Sequence, residues 1–223
     1  SYSSRELRLL AVLFLINLNV QYLEYIWVYL RDGSDPEHNY QIDLGMTDTQ
    51  YAILSGTAFT VTAHLSMIVF GLIADRVNRK QLLIFCGIAW NLACLLNYFV
   101  TAFWQMLTLR ILFSVLCSVN TPACISLIND YYSNEKRAKA SSVYVMGTSI
   151  GICLANLTSL LNNALGWRTS ILLSSLAGVA ISMLCFSLEE PRLKEGVTYS
   201  KMVNPGEEEE REQVPTRWVD KSK

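Results

Sequence analysis

Six apolar stretches dominate this chain, running from Leu7 to Leu30, Tyr51 to Ile73, Leu82 to Phe103, Leu107 to Ile128, Ala138 to Leu161 and Thr169 to Leu188. A helix needs about 20 apolar residues to cross a bilayer, so each stretch is long enough to span one. Only helices and closed barrels satisfy their own backbone in lipid, and six long uninterrupted runs favour helices. The expected fold is therefore an all-α membrane protein with six transmembrane helices.

Charge is distributed in the same way. From Glu189 to the end, 16 of 35 residues are Asp, Glu, Lys or Arg, against 21 of the preceding 188. The body is thus about 11% charged, far below the roughly 25% of soluble domains. Two regions are expected, a bundle over 1–188 and a charged C-terminal tail over 189–223. This balance argues against a soluble enzyme or a nucleic-acid binder, and no nucleophile motif, phosphate loop or metal-ligand spacing is present. No catalytic residue, cofactor or metal is expected. All six cysteines lie in apolar runs without Cys-x-x-Cys pairing, and read as small buried hydrophobes.

Lysine and arginine collect on one side of the membrane. Arg5, Arg8, Arg76, Arg79, Lys80, Lys136, Arg137 and Lys139 fall on one side, against Arg31 and Arg168 on the other. Basic loops stay on the cytoplasmic or matrix side, so both termini are expected there. The same count holds for plasma, lysosomal and mitochondrial inner membranes.

The most specific string is Gly71-Leu72-Ile73-Ala74-Asp75-Arg76-Val77-Asn78-Arg79-Lys80, after the second stretch. It resembles the G-x-x-x-D-R-x-x-R-K loop signature of the major facilitator superfamily, defined here by Gly71, Asp75, Arg76, Arg79 and Lys80. Gly71 is expected to let two helices approach closely. Other landmarks follow in order. Arg110 resembles the arginine of the superfamily's fourth helix, with Ser114 where glycine is usual. Asp130, Glu135 and Arg137 resemble its D-x-x-x-x-E-x-R segment. Gly147, Gly151 and Ala155 recur every four residues, a stripe suited to close helix packing. Gly166-Trp167-Arg168 and Glu189-Glu190-Pro191-Arg192 resemble the turns that open and close the sixth helix.

Within the superfamily the sequence is similar to the Spinster-like lysolipid and sphingolipid transporters. Tyr22-Leu23-Glu24-Tyr25 stands where that group has Tyr-Met-Asp-Arg, so the carboxylate is kept as Glu24. Cys117 stands at the position of the group's fourth-helix glutamate, which weighs against proton coupling. The transport or proton candidates are Glu24, Arg110, His64 and Asn120, each with a plainer reading. Glu24 lies about two turns from its helix end, His64 is a lone packing histidine, and Arg110 can snorkel to headgroups. Asn120, like Asn17, Asn19 and Asn156, can bond between helices.

The resemblance implies one half of a twelve-helix fold, whose two six-helix halves hold substrate between them. Two functions follow. The favoured one is a non-catalytic accessory subunit of a larger membrane complex, its cavity face covered by other membrane subunits or by lipid. The alternative is a half-transporter that pairs with a second six-helix half and moves a small organic or lipid-like solute. Membrane lipids surround the bundle in both, and the tail, with Trp218 as an anchor, is expected to dock on a partner.

Overall fold

A computed structural model of the chain describes residues 3–31, 35–74 and 79–187. These lie in one compact unit, Ser1–Leu188. The tail with Trp218, and Asp75 and Arg76 of the loop signature, lie outside the described residues. Among the described residues there is no strand, only an isolated bridge between Arg31 and Asn39.

The first span is α1 (Ser4–Tyr29). It is buried on most sides, with Leu9, Leu13, Ile16, Leu23 and Ile26 enclosed by the other helices. Two short helices, α2 (Tyr40–Asp43) and α3 (Asp48–Ala52), follow. α3 runs through a π turn, Ile53–Thr57, into α4 (Ala58–Ala74), and together they form the second span. α5 (Arg79–Leu95) is the third span. The fourth is interrupted, with α6 (Phe103–Cys117) and α7 (Asn120–Tyr131) separated at Ser118 and Val119. Pro122 explains the break, because it has no N–H for the carbonyl four residues earlier, which is that of Ser118.

The fifth and sixth spans form the continuous element α8 (Asn134–Met183), broken at Gly166, where φ is 77° and ψ 164°. That conformation favours glycine. A Cβ there would also lie 3.0 Å from the Glu37 carbonyl, which accepts the Trp167 N–H at 3.0 Å. The chain thus has five long apolar helices among the described residues, the last containing two spans. The architecture is an all-α membrane bundle of six spans.

Element boundaries differ from expectation where side chains decide them. Phe103, the last residue of the third apolar stretch, instead opens α6, and the break between the two spans is at Val100–Ala102. Asn162–Leu165 remains helical, with the break confined to Gly166. Arg79 and Lys80 belong to the first turn of α5 rather than to the preceding loop.

The most extensive contact joins α1 to α8. Lipid tails are as apolar as leucine, so helices associate by close packing and hydrogen bonds rather than by hydrophobic transfer. The small-residue stripe supplies that packing. A Cβ added to Gly147 would lie 2.9 Å from the Phe14 carbonyl oxygen, and one added to Gly151 would lie 2.6 Å from that of Leu18. Ala155 is fully buried in the same line. Gly71 differs from its expected role, since an added Cβ there meets nothing within 4 Å. Its missing side chain serves no contact among the described residues.

At the end of the bundle away from the basic loops, the segment 35–46 covers an aromatic cluster. Tyr40 is buried against Trp27 (5.6 Å between ring centroids) and Trp167 (6.1 Å). Arg168 fastens this segment, donating to Asp43 at 2.8 Å and to the Tyr98 carbonyl at 2.7 Å. Both side chains are about one-third exposed, so the ion pair contributes at most about 1 kcal/mol. Arg168→Ala is expected to lower the melting temperature by only a few degrees while leaving a monodisperse elution profile in detergent.

Candidate functional site

Arg110 lies two turns into α6 and is only 4% exposed. Its guanidinium reaches across to α1, donating to the Glu24 backbone carbonyl at 2.9 Å and the Leu23 carbonyl at 3.5 Å. Three rings surround it, with centroids at 4.5 Å (Phe59), 5.5 Å (Trp27) and 5.6 Å (Phe113). Carbonyl dipoles and ring faces both attract a cation, so they spread the buried charge. Its Nε has no hydrogen-bond partner. Phe59 and Phe113 stack at 6.0 Å, and a hydrogen bond between Thr62 and Ser114 pins α4 to α6 beside them.

Glu24 is half-buried next to this cation. His64 is exposed on α4, and its Nδ1 is 2.7 Å from the Thr60 carbonyl. The Cys117 thiol is buried and donates to the Ser114 carbonyl at 3.4 Å. The hydrogen bond from Arg110 to the Glu24 carbonyl brings these two residues of the first and fourth spans together, with Cys117 about two turns further along the fourth span. Ionisable groups at membrane depth are costly and usually face a cavity or a partner.

Asn120 is not part of that neighbourhood. It donates to Asn17 and to the Tyr144 hydroxyl, each at 3.1 Å, while Asn17 donates to the Tyr144 carbonyl at 2.9 Å. Asn19 accepts from the Trp90 indole at 3.3 Å and from Asn91 at 3.2 Å. Successive helical residues turn by about 100°, so Asn17 and Asn19 point to opposite sides of α1. Both are buried interhelical bonding residues. Asn156 is exposed on α8. The second network has no spare room, because a Cβ on Gly178 would lie 1.9 Å from the Asn91 Oδ1.

At the basic end, Arg79 is 1% exposed and forms an ion pair with Asp130. Lys80 donates to the Phe186 carbonyl at 3.0 Å, and Arg137 to that of Tyr132 at 2.9 Å. Glu135 is exposed in the first turn of α8, where the helix dipole favours a negative charge. Lys136 and Glu6 pair at 3.2 Å, joining α1 to the start of α8. These groups tie spans together at the basic end.

The sequence reading missed the aromatic surround of Arg110. Its signal was present, since Trp27 and Phe113 stand three residues after Glu24 and Arg110, and helical residues at that spacing are neighbours. It also missed the grouping of Asp35, Glu37 and His38, whose ligand atoms lie within 4.8 Å of one another. All three are at least partly exposed, and among the described residues no buried donor joins the group. Five of the six cysteines are buried as expected, but Cys153 is exposed.

The sequence profile of the Major Facilitator Superfamily matches residues 9–219. A relative from Xenopus tropicalis, protein spinster homolog 1, is 30% identical over 189 residues, covering 81% of this chain and 34% of the relative. The sphingosine-1-phosphate transporter SPNS2 of Danio rerio is 28% identical over 142 residues, covering 61% of this chain and 28% of the relative. A crystal structure of a bacterial homolog to the human lysosomal transporter Spinster, inward-facing and unoccupied, superposes with a TM-score of 0.73 at 20% identity. The match covers 85% of this chain and 44% of that one. The chain thus spans about a third of these relatives and less than half of the solved structure.

Proposed function

Because the chain belongs to the major facilitator superfamily, and its similarity runs to the Spinster-like members, we propose that it forms one six-helix half of a solute carrier. The observation that carries this reading is the convergence of Glu24 with a buried, ring-enclosed Arg110 on the first and fourth spans. In this fold, substrate is held between two six-helix bodies near the bilayer midplane. A second body, on the same or another polypeptide, completes the cavity. Glu24 then exchanges a proton or meets the polar group of the solute, and Arg110 holds α1 in place beside it. The solute is an amphipathic, lipid-like molecule, as the name of the Danio rerio relative suggests. Both termini face the cytoplasm or matrix, as the basic loops require.

Uptake of sphingosine-1-phosphate into liposomes reconstituted with the whole chain tests the proposal. Glu24→Gln, which keeps the shape and removes the charge, should reduce the initial rate at least tenfold while leaving the melting temperature within a few degrees. Uptake that is equal in Glu24→Gln and the unaltered protein would overturn it.

A second reading, a non-transporting accessory subunit, has one specific observation in its favour. Cys117 occupies the place of the Spinster-like glutamate, so the cluster holds one carboxylate where two are expected. Cys117→Glu separates the two readings, since it should leave an accessory subunit's assembly unchanged and alter the pH dependence of a carrier.

A further inference from the structure

Beside the segment that caps the outer end lies a crevice of about 250 Å³, lined by Glu37, Asp43, Tyr98, Leu165, Trp167 and Thr169 among others. Neither Glu24 nor Arg110 lines it. Pockets for drug-sized ligands run to roughly 300–1,000 Å³, so this one suits a small ligand or the head of a larger one.

The charges around it fix the sign of that ligand. Among the described residues, the loop after α1 carries four carboxylates, and three are paired. Asp43 meets Arg168 at 2.8 Å, Asp48 meets Arg31 at 3.9 Å, and Asp35 meets His38 at 3.6 Å. Glu37 has no ion pair. Its side chain lies against Gly166, where an added Cβ would be 3.2 Å from the Glu37 Cγ and 3.8 Å from its Oε1. Arg168 also lines the crevice, but its two terminal nitrogens already donate to Asp43 and to the Tyr98 carbonyl. A cleft lined by one sign of charge concentrates ions of the other, so the crevice favours a cation.

Its remaining lining distinguishes between cations. Calcium takes about six to eight oxygen ligands, more than Glu37, Asp43 and Thr169 provide. A quaternary ammonium is held by open aromatic faces, but Trp167 is 1% exposed, with the Arg168 guanidinium 4.4 Å from its ring centroid. A primary ammonium carries three N–H donors, which match the Glu37 carboxylate, the second oxygen of Asp43 and the Thr169 hydroxyl.

We propose that this crevice binds a primary ammonium group, with Glu37 as its counter-charge. The group belongs either to a lipid headgroup or to a free amine. Tyr98 and Trp104, 37% and 71% exposed at the same end of the bundle, are of the residue types that anchor at headgroup level, which brings lipid within reach. The site goes beyond the carrier reading and does not rest on it.

Thermal unfolding of the whole protein in detergent, titrated with phosphatidylethanolamine, phosphatidylcholine and free ethanolamine, tests the site. The ethanolamine lipid, the free amine or both should raise the melting temperature by several degrees, and phosphatidylcholine should not. A shift with the lipid alone identifies a headgroup as the source, and one with ethanolamine identifies the free amine. Glu37→Gln keeps the backbone carbonyl that accepts the Trp167 N–H. It should raise the half-saturating concentration about tenfold or more, because hydrogen bonds to a charged group are lost. Leu165→Trp, at a position 45% exposed, should do the same by filling the crevice while Glu37 stays in place. Asp35→Asn, outside the crevice lining, should titrate like the unaltered protein.

Four results would each overturn the proposal. They are no shift with either amine, an equal shift with phosphatidylcholine, unchanged titration of Glu37→Gln or Leu165→Trp, and weakening by Asp35→Asn as large as that by Glu37→Gln. Uptake into liposomes enters none of these readouts, so the ammonium site and the carrier reading fail separately.

Discussion

Gly151→Val is expected to abolish the folded bundle, seen as loss of the monodisperse peak in detergent chromatography and of a cooperative thermal transition. The first atom of any side chain at this position would lie 2.6 Å from the Leu18 carbonyl oxygen, 3.1 Å from Gln21 Cβ and 3.2 Å from the Tyr22 amide nitrogen. Two of these neighbours are backbone atoms of α1, so no rotamer change relieves the clash. Overpacking typically costs about 1–3 kcal/mol when side chains can yield. Here the whole α1–α8 contact must open, and with it the hydrogen bonds that link the Tyr22 hydroxyl with those of Thr158 and Ser174, both at 2.8 Å. Gly151→Ala should already lower the melting temperature markedly. Ile150→Val, one position away on an exposed surface, should do little. Equal behaviour of Gly151→Val and the unaltered chain would mean that α1 and α8 do not meet as described.

The second large effect is at the basic end. Arg79→Ala should destabilise the bundle by about 3–5 kcal/mol, the range for breaking a buried pair by removing one partner. Arg79 is almost fully buried, and Asp130, 20% exposed, would be left without its guanidinium. The diagnostic is therefore a double substitution. Arg79→Met with Asp130→Leu, which removes both charges, should be markedly more stable than Arg79→Ala with Asp130 retained. Thermal unfolding followed by tryptophan fluorescence measures all three proteins. A double substitution no more stable than Arg79→Ala would argue against a direct interaction between the two groups.

The two substitutions act on features of different legibility. The spans and the Gly147, Gly151 and Ala155 stripe were readable because a membrane imposes length and polarity limits on a sequence, and because small residues at four-residue spacing fall on one helical face. Arg79 was readable as part of a loop signature, but its burial and its partner were not, since its contact with Asp130 joins residues 51 positions apart. Pro122 marked the interruption of the fourth span only through a missing N–H, a backbone effect that apolar composition conceals. The π turn at Ile53–Thr57 left no compositional trace, because one extra residue in a helical turn does not change hydropathy. Gly71 shows the opposite case, a position read as a packing contact that meets open space among the described residues.

The site divides along the same line. Glu24 and Arg110 were legible as ionisable residues inside apolar runs, which are rare for energetic reasons. Their common neighbourhood depends on how α1, α4 and α6 cross, which no local pattern specifies. Asn120 matched Glu24 in polarity and setting, yet the helix phase turns it toward Asn17 and Tyr144.

The clasp of Arg168 on Asp43 also sets a schedule. Its partners are 125 residues apart, and at about 5–20 residues per second of synthesis Asp43 leaves the ribosome roughly 6 to 25 s before Arg168. Throughout that interval the segment around Tyr40 has neither Trp167 to pack against nor the Trp167 amide to fill the Glu37 carbonyl. The first four spans therefore enter the bilayer with one end uncapped, and the hairpin of the fifth and sixth spans closes it. A ribosome stalled before residue 167 should leave this segment open to protease, and release of the full chain should protect it.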